Sequence, residues 1–370
     1  MQEKSLLSLA YGAALTGGDR AVAFADIDAL TPRLRAGDAW LRENAAAGKQ
    51  GFGWMDLPGR NVDAIQTLAR WLATRESIVQ VGIGGSALGN LMLHNALLPS
   101  FWNELPASKR NAPRFFMADN VDSAENRAIW DLINPESTAV VVVSKSGSTA
   151  ETAANFLFFW EKLRDTLGEA SARERVVVVT DKEKGILRPF VEETGCKSLV
   201  LPEDVGGRFS VLSCVGLLSA WALGIDCKEL LQGARELDAR LSRSASVLEN
   251  PAWILAGLNL MHMDRGRNIN VLMAYADPLE RFGEWFALGR VPGQGRQGIY
   301  TRARPGRHRS ALADPALHLG AGRQVLHHPH RGPGQGGHRP ARRVGKILRQ
   351  ALLPVRKIDG HAEELRGRGH

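Results

Sequence analysis

The chain has 370 residues, of which 44% are apolar, and a formal net charge of +8 at pH 7. This length allows two domains or one extended α/β unit, and the apolar content is that of a globular protein. The longest apolar run, residues 211–225, has only 15 residues and contains serines, which excludes a membrane span of the usual length.

The cellular compartment is predicted from the cysteines and from the first residues. Cys196, Cys214 and Cys227 have no metal-ligand spacing and form no disulfide framework, which favours a reducing cytoplasm. Near the start, Lys4 is the only positive flank and follows Glu3, so the segment is a poor signal peptide. We therefore expect a cytoplasmic protein.

Residues 1–73 are expected to form an N-terminal helical layer, because leucines such as Leu30 and Leu34 recur at helical spacing. The first convincing strand is at residues 78–83, and a small-residue loop containing Gly85 and Ser86 follows it directly. Residues 82–87 also fit the G-x-G-x-x-A pattern of dinucleotide-binding enzymes. The acidic residue that this pattern expects about 20 positions later appears only at Asp119, roughly 35 positions on. A nicotinamide-dependent oxidoreductase therefore stays an alternative.

The most informative stretch is residues 139–152. Five apolar residues, 139–143, predict a strand buried on both faces, which is typical of a parallel sheet. The loop that follows is small and hydroxylic, and Ser148 with Glu151 has capping-box spacing, which predicts that a helix opens at Ser148. Amide groups at a helix start attract anions, and the loop adds hydroxyls and a cation. We therefore predict a phosphate-ester site, although its serines could merely cap the helix; its residues are Ser144, Lys145, Ser146, Gly147, Ser148 and Thr149.

Two further strands are predicted at residues 176–179 and 198–201, with helical segments between them. Alternating strands and helices predict an α/β fold with a doubly wound parallel sheet of about five strands at residues 74–205. Residues 206–286 then hold linking helices, a strand around Val271, a helix capped by Asp277, and thus the start of an incomplete second α/β subdomain. Arg208, between two glycines and an apolar helix, is either a surface charge or a cation aimed into the crevice.

Four motifs together resemble the glucose-6-phosphate isomerase family, which has the sugar-isomerase (SIS) fold. They are Val-Gly-Ile-Gly-Gly-Ser-Ala-Leu-Gly at 81–89, Ser-Lys-Ser-Gly-Ser-Thr-Ala-Glu-Thr at 144–152, Gly-Gly-Arg-Phe-Ser at 206–210 and Tyr-Ala-Asp-Pro-Leu at 275–279. Each motif is modest evidence alone, but their order and spacing are specific.

The resemblance implies a function and a set of site residues. Gly85 and Ser86 would line the sugar-phosphate site, residues 144–149 would hold the phosphate, and Arg208 would be catalytic by stabilising an enediolate. The family reaction interconverts glucose 6-phosphate and fructose 6-phosphate through a cis-enediol, with a histidine for ring opening and a glutamate for proton transfer. It uses no metal or organic cofactor, and the family expectation is a homodimer. Neither a nucleic-acid nor a membrane partner is expected.

The composition changes at residue 287. Residues 287–370 contain 17 Lys or Arg and 4 Asp or Glu, a net charge of +13, whereas the other 286 residues contain 30 and 35, a net charge of −5. All nine tryptophans and all twelve phenylalanines precede residue 287, and eight of the ten histidines follow it.

A shift of reading frame explains this change. With codons chosen among synonyms, the peptide 287–298 read one nucleotide later becomes Trp-Ala-Glu-Ser-Leu-Gly-Lys-Ala-Gly-Lys from its second codon, which matches the family segment with the catalytic glutamate. The same offset turns residues 305–314 into the family's catalytic-histidine segment. We infer that residues 287–370 are a mistranslated or disordered tail.

This inference predicts that the chain is inactive, and unstable because the strand at Val271 lacks its neighbours. One alternative for the tail is a genuine basic segment that binds nucleic acid, but only Tyr300 could stack on a base. Another is a metal site at His327, His328 and His330, but no carboxylate or cysteine pattern accompanies these histidines. A different alternative for the chain as a whole is a non-catalytic phosphosugar-binding SIS module.

Overall fold

The computed structural model describes residues 9–16, 21–147, 149–267 and 269–289, together with the backbone of residues 300–305. Its helices are α1 Gly12–Thr16, α2 Phe24–Asp28, α3 Thr31–Ala46, α4 Asp63–Ala73, α5 Leu88–Leu97, α6 Ala107–Arg110, α7 Ser123–Leu132, α8 Ala150–Leu167, α9 Glu169–Glu174, α10 Leu187–Thr194, α11 Cys214–Ala222, α12 Cys227–Arg243, α13 Pro251–Asp264 and α14 Glu280–Gly289. Its strands are β1 Ser77–Val81, β2 Arg114–Ala118, β3 Thr138–Ser144, β4 Val176–Thr180, β5 Lys197–Val200, β6 Ile269–Ala274 and β7 Tyr300–Pro305.

The central feature is a five-stranded sheet in the order β2-β1-β3-β4-β5, in which every pair of neighbours is parallel. All seven residues of β3 are buried, as are all five of β1 and of β4. β-branched residues favour such strands because they pack well on a pleated surface. The predicted α/β fold with a parallel sheet of about five strands is confirmed.

Helices cover both faces of this sheet. Val140 and Val142 belong to the same buried cluster as Phe156 and Trp160 of α8. The intervening residues of β3 point to the opposite face, where Val141 lies in the cluster formed with α4 and α11. This alternation follows from the two-residue period of a strand, and it explains why the valine run contains no polar side chain.

The first helices pack away from the sheet. Ile27 of α2 and Leu34 of α3 share a buried cluster with Trp253 and Ile254 of α13, whereas α4 packs on the sheet itself. The division of the chain at residues 73, 205 and 286 stays a prediction. No described helix is both long and apolar enough to cross a bilayer.

The second α/β subdomain begins at β6, where two predictions are wrong. Val271 was expected to lack a neighbour, but β6 pairs in parallel with β7, with Val271 opposite Arg302. Ladder hydrogen bonds use main-chain groups, so a short segment without an apolar run can still pair. Asp277 does not cap a helix; it begins the 3₁₀ turn Asp277–Leu279 that precedes α14. Residues 290–299 and 306–370 lie outside the described part of the chain.

His94 of α5 is expected to make the stability of the fold depend on pH. Its ring stacks on Phe115 with centroids 5.4 Å apart, and among the described residues its buried Nε2 has no hydrogen-bond partner. Burial lowers the pKa of His94, because a charged imidazolium would lose its hydration.

The free energy of unfolding is therefore expected to fall as the pH drops below about 6.5, where the unfolded chain binds a proton that the folded chain resists. The slope contributed by one histidine is at most about 1.4 kcal/mol per pH unit. Urea unfolding between pH 5 and 8 measures it, and His94→Phe, which keeps a stacking ring, should flatten the curve. His262, whose pKa is also lowered by burial, should contribute to the same slope and keep part of it in His94→Phe. An unchanged curve for His94→Phe would contradict this assignment.

Candidate functional site

A cavity of about 500 Å³ lies at the carboxyl ends of β1, β3 and β4. The strand order reverses between β1 and β3, and the crevice at such a reversal is where open α/β sheets bind ligands. Of the predicted site residues, the cavity is lined by Gly85, Ser86, Ser144, Lys145, Ser146 and Thr149. Sequence analysis did not select the other lining residues, which are Gln50, Ile83, Val143, Thr152, Asp181, Lys184, Glu203 and Gly207.

The loop after β1 is held by buried amide side chains. The carbonyl oxygen of Ser86 accepts hydrogen bonds from Gln80 Nε2 at 3.0 Å and from Asn90 Nδ2 at 3.3 Å. The hydroxyl of Ser219 in α11 donates to Asn90 Oδ1 at 2.8 Å. Sequence reasoning missed this network, although Gln80 is a signal for it: an amide inside an apolar strand needs a buried partner.

The loop after β3 folds back on Ser144, the last residue of the strand. Ser144 is 4% exposed, and its Oγ accepts the N–H of Gly147 at 3.1 Å, while Thr180 donates to the Ser144 carbonyl at 2.8 Å. Gly147 has φ +62°, and a Cβ there would lie 2.9 Å from the amide nitrogen of Ile186. Glycine is therefore needed at this position on both conformational and steric grounds.

The start of α8 differs from the prediction. The N-cap is Thr149, so α8 begins at Ala150 and not at Ser148. Ser148 lies outside the described residues, so its predicted capping box with Glu151 stays a prediction. The Thr149 hydroxyl makes no capping hydrogen bond, and this side chain lines the cavity instead. Thr149 and Thr152 both line the cavity, so the first turn of α8, whose amides have no partner within the helix, lies beside it.

The charges around the cavity are of both signs. Lys145 Nζ donates to the carbonyl oxygens of Glu203 at 2.6 Å and Val205 at 2.9 Å, and Lys184 Nζ lies 3.0 Å from Glu203 Oε1. Asp181 Oδ1 accepts the N–H groups of residues 183 and 184, both at 2.9 Å, and these bonds lower the pKa of Asp181. These bonds keep Asp181 ionised, so Asp181 and Glu203 are negative charges at the cavity, and Lys145 and Lys184 are the charges there that favour an anion.

Arg208 lies in the 3₁₀ turn Gly207–Phe209, which meets the first loop. A Cβ on Gly85 would be 2.3 Å from the Gly207 carbonyl oxygen, so the absence of a side chain lets these two backbones touch. Gly207 lines the cavity, and Arg208 follows it directly. The structure thus brings the first loop, the third-strand loop and the arginine turn together at one place.

No group of three or more His, Cys, Asp or Glu side chains with metal-site geometry occurs in the part of the chain that the structure describes. The histidines His327, His328 and His330 lie outside it. The three cysteines are buried, and desolvation raises the pKa of the Cys214 and Cys227 thiols to about 12 each, which makes them poor nucleophiles or ligands at neutral pH.

Comparison with known proteins supports the family that the motifs indicate. A sequence model of the phosphoglucose isomerase family matches residues 69–302, which include both loops and the arginine turn. The glucose-6-phosphate isomerase of Carboxydothermus hydrogenoformans is 39% identical over 265 residues, which are 71% of this chain and 57% of the relative. That of Rubrobacter xylanophilus is 42% identical over 278 residues, 74% of this chain and 62% of the relative.

Solved structures give the same result. A hypothetical protein from Thermus thermophilus has a TM-score of 0.64 and 34% identity over 74% of this chain and 65% of its own. A glucose-6-phosphate isomerase from Chlamydia trachomatis has a TM-score of 0.51 and 29% identity over 61% of this chain and 42% of its own. The chain thus spans less than two thirds of the length of these relatives. Within the residues it matches, the chain belongs to the phosphoglucose isomerase family.

Proposed function

We propose that this chain binds hexose 6-phosphates, with the ester phosphate in the loop of residues 144–149. The observation that supports this most is the cavity at the reversal of the strand order, which is lined by Ser86, two further serines, Thr149 and a lysine. Phosphate oxygens accept hydrogen bonds from hydroxyl groups, from the free amides of a helix start and from a cationic side chain. Phosphate held away from the reacting carbons supplies binding energy for their orientation.

The proposed family reaction is the reversible isomerisation of glucose 6-phosphate and fructose 6-phosphate through a cis-enediol, without a cofactor. In it, the Arg208 guanidinium stabilises the negative charge that develops on the enediolate oxygen. The glutamate that moves the proton between C2 and C1 and the histidine that assists ring opening belong to segments after residue 286. We propose that this chain is impaired because its own residues 287–370 do not contain those segments.

The tail composition supports this impairment, because residues 287–370 carry an excess of 13 positive charges. The family match extends past residue 286 and ends at residue 302, so residues 303–370 are the part of the tail that lies outside it. The four-part domain division, the homodimer and the cytoplasmic location remain proposals drawn from the same resemblance.

A non-catalytic phosphosugar-binding module is the second candidate. Such a module and a damaged isomerase would both bind the ester without converting it, so binding alone does not distinguish them. Isothermal titration of the full chain with glucose 6-phosphate, inorganic phosphate and NADH tests the binding site that both share. We expect binding of the ester and, more weakly, of phosphate, with competition between the two. Binding of NADH that the ester does not displace would instead favour the dinucleotide alternative, and the absence of ester binding would overturn the proposed function.

A further inference from the structure

The segment of residues 203–208 leads from β5 to the arginine turn, and Lys145 of the phosphate loop holds it. Lys145 is half-buried, and its ammonium donates to two main-chain carbonyl oxygens of this segment, those of Glu203 at 2.6 Å and Val205 at 2.9 Å. An ammonium has three N–H donors, so two of them are committed to this segment. Hydrogen bonds from a charged donor are stronger than neutral ones, and partial burial strengthens them further.

A second set of contacts holds the same segment from the other side. The carbonyl oxygen of Asp204 accepts the N–H groups of Gly51 at 2.8 Å and Gly53 at 3.0 Å. The Asp204 carboxylate accepts a hydrogen bond from Arg60 Nη1 at 3.0 Å and another from Nη2, and Arg60 lowers the pKa of Asp204. Both the carbonyl groups and the side chain of the segment are thus held, and Lys145 contacts the segment from the phosphate loop.

The far end of the segment reaches the site. Gly207 lines the cavity and touches Gly85 so closely that a Cβ on Gly85 would lie 2.3 Å from its carbonyl oxygen. Arg208 is the next residue, and its turn is closed by the Phe209 N–H donating to the Gly206 carbonyl at 2.9 Å. A displacement of residues 203–205 would therefore be transmitted to the arginine turn through only a few residues.

We propose that Lys145 is a positioning residue for the arginine turn: through the carbonyl oxygens of Glu203 and Val205 it fixes residues 203–208 against the loop that holds the phosphate. This rests on the proposed function, because it gives the arginine turn a role in binding the sugar part of the ester. It differs from the simpler role of a phosphate ligand, in which the main partner of the ammonium is the anion.

Lys145→Met tests this role, and Lys184→Met is its matched control. Lys184 also lines the cavity and loses the same charge on substitution, but it contacts the Glu203 side chain and not the main chain. Amide hydrogen exchange of Val205 and Phe209, whose N–H groups donate to the Pro202 and Gly206 carbonyls, reports the order of the segment without any ligand. We expect exchange there to rise by about tenfold or more in Lys145→Met and to change little in Lys184→Met.

Ligand binding separates positioning from direct contact. Lys145→Met and Lys184→Met should lower the affinity for inorganic phosphate by similar factors. The affinity for glucose 6-phosphate should fall further in Lys145→Met, but not in Lys184→Met. That excess should disappear when Arg208→Ala is added, because coupled residues act non-additively. If Lys145→Met lowered the affinity for inorganic phosphate by as large an excess over Lys184→Met as it did for glucose 6-phosphate, Lys145 would be a phosphate ligand. That result would overturn the proposal.

Lys145→Arg keeps donors for the two carbonyl groups and covers the case in which Lys145→Met does not fold. It should retain slow exchange at Val205 and Phe209, and fast exchange in a folded Lys145→Arg chain would contradict the proposal. Failure of the unaltered chain to bind either ligand would count against the proposed function. Unchanged exchange in Lys145→Met would count against the positioning role alone, so the two failures are distinguishable.

Discussion

Restoring the reading frame immediately after codon 287 is expected to raise the rate of fructose 6-phosphate isomerisation by at least about 10²–10⁴-fold over the present chain, the range that one positioned general acid–base contributes. Under the proposed function, the restored segment would supply the glutamate that transfers the proton, and the segment after it would supply the histidine. The assay follows glucose 6-phosphate formation through a coupled dehydrogenase, with both proteins at equal concentration.

No described carboxylate near the break replaces that glutamate. Glu284 of α14 lies before the break, and its Oε2 accepts a hydrogen bond from Arg281 Nη1 at 2.7 Å, as an ion pair one helical turn apart would. The Glu284 carboxylate is thus already engaged by a neighbour in its own helix. Glu284→Gln in the present chain should therefore leave its low rate unchanged.

The control for the frame-restored chain is replacement of the recovered glutamate by glutamine, which should return the rate to that of the present chain. Binding of glucose 6-phosphate should persist in all of these proteins, because residues 144–149 are common to them. Turnover by the present chain at the rate of the restored one would refute the inferred loss of catalytic segments.

The sequence predicts the sheet and the place of the site because both depend on local patterns. The valine runs at residues 140–143 and 176–179 can only be strands buried on both faces, and small residues directly after a strand give a loop at its carboxyl end. Two such loops converge wherever neighbouring parallel strands end. Residues of both loops line the same cavity: Gly85 and Ser86 in the first, and Ser144, Lys145, Ser146 and Thr149 in the second.

Contacts between distant residues were not predictable in this way. To predict the hydrogen bond of Gln80 with the Ser86 carbonyl, one must know how the loop between them folds back on the strand. The contact of Lys145 with residues 203–205 joins positions about 60 residues apart in the sequence. The lysine was selected for its charge, and charge alone does not distinguish a phosphate from a carbonyl group as its partner. The pairing of β6 with β7 was missed because the prediction relied on side chains, while the ladder uses the backbone.

Gly147→Ala is expected to lower the affinity for glucose 6-phosphate by about tenfold or more, which corresponds to the loss of one hydrogen bond to a charged group. Gly147 has φ +62°, and an added Cβ would lie 2.9 Å from the Ile186 nitrogen and 3.2 Å from the backbone of Gly185. Neither neighbour is a flexible side chain, so the phosphate loop itself must shift and its hydroxyl and amide donors move with it.

Gly195→Ala is the matched control for this change. Gly195 has nearly the same backbone conformation, φ +65°, at the end of α10, but nothing lies within 4 Å of its added Cβ. Both substitutions place an alanine in the left-handed region, which costs about 1–2 kcal/mol of the free energy of unfolding in each variant, and the close backbone contact adds to this cost in Gly147→Ala. Only Gly147→Ala should lower the affinity for glucose 6-phosphate, as measured by titration calorimetry at a temperature where both variants are folded. Equal affinities in the two variants would mean that residues 144–149 do not hold the phosphate.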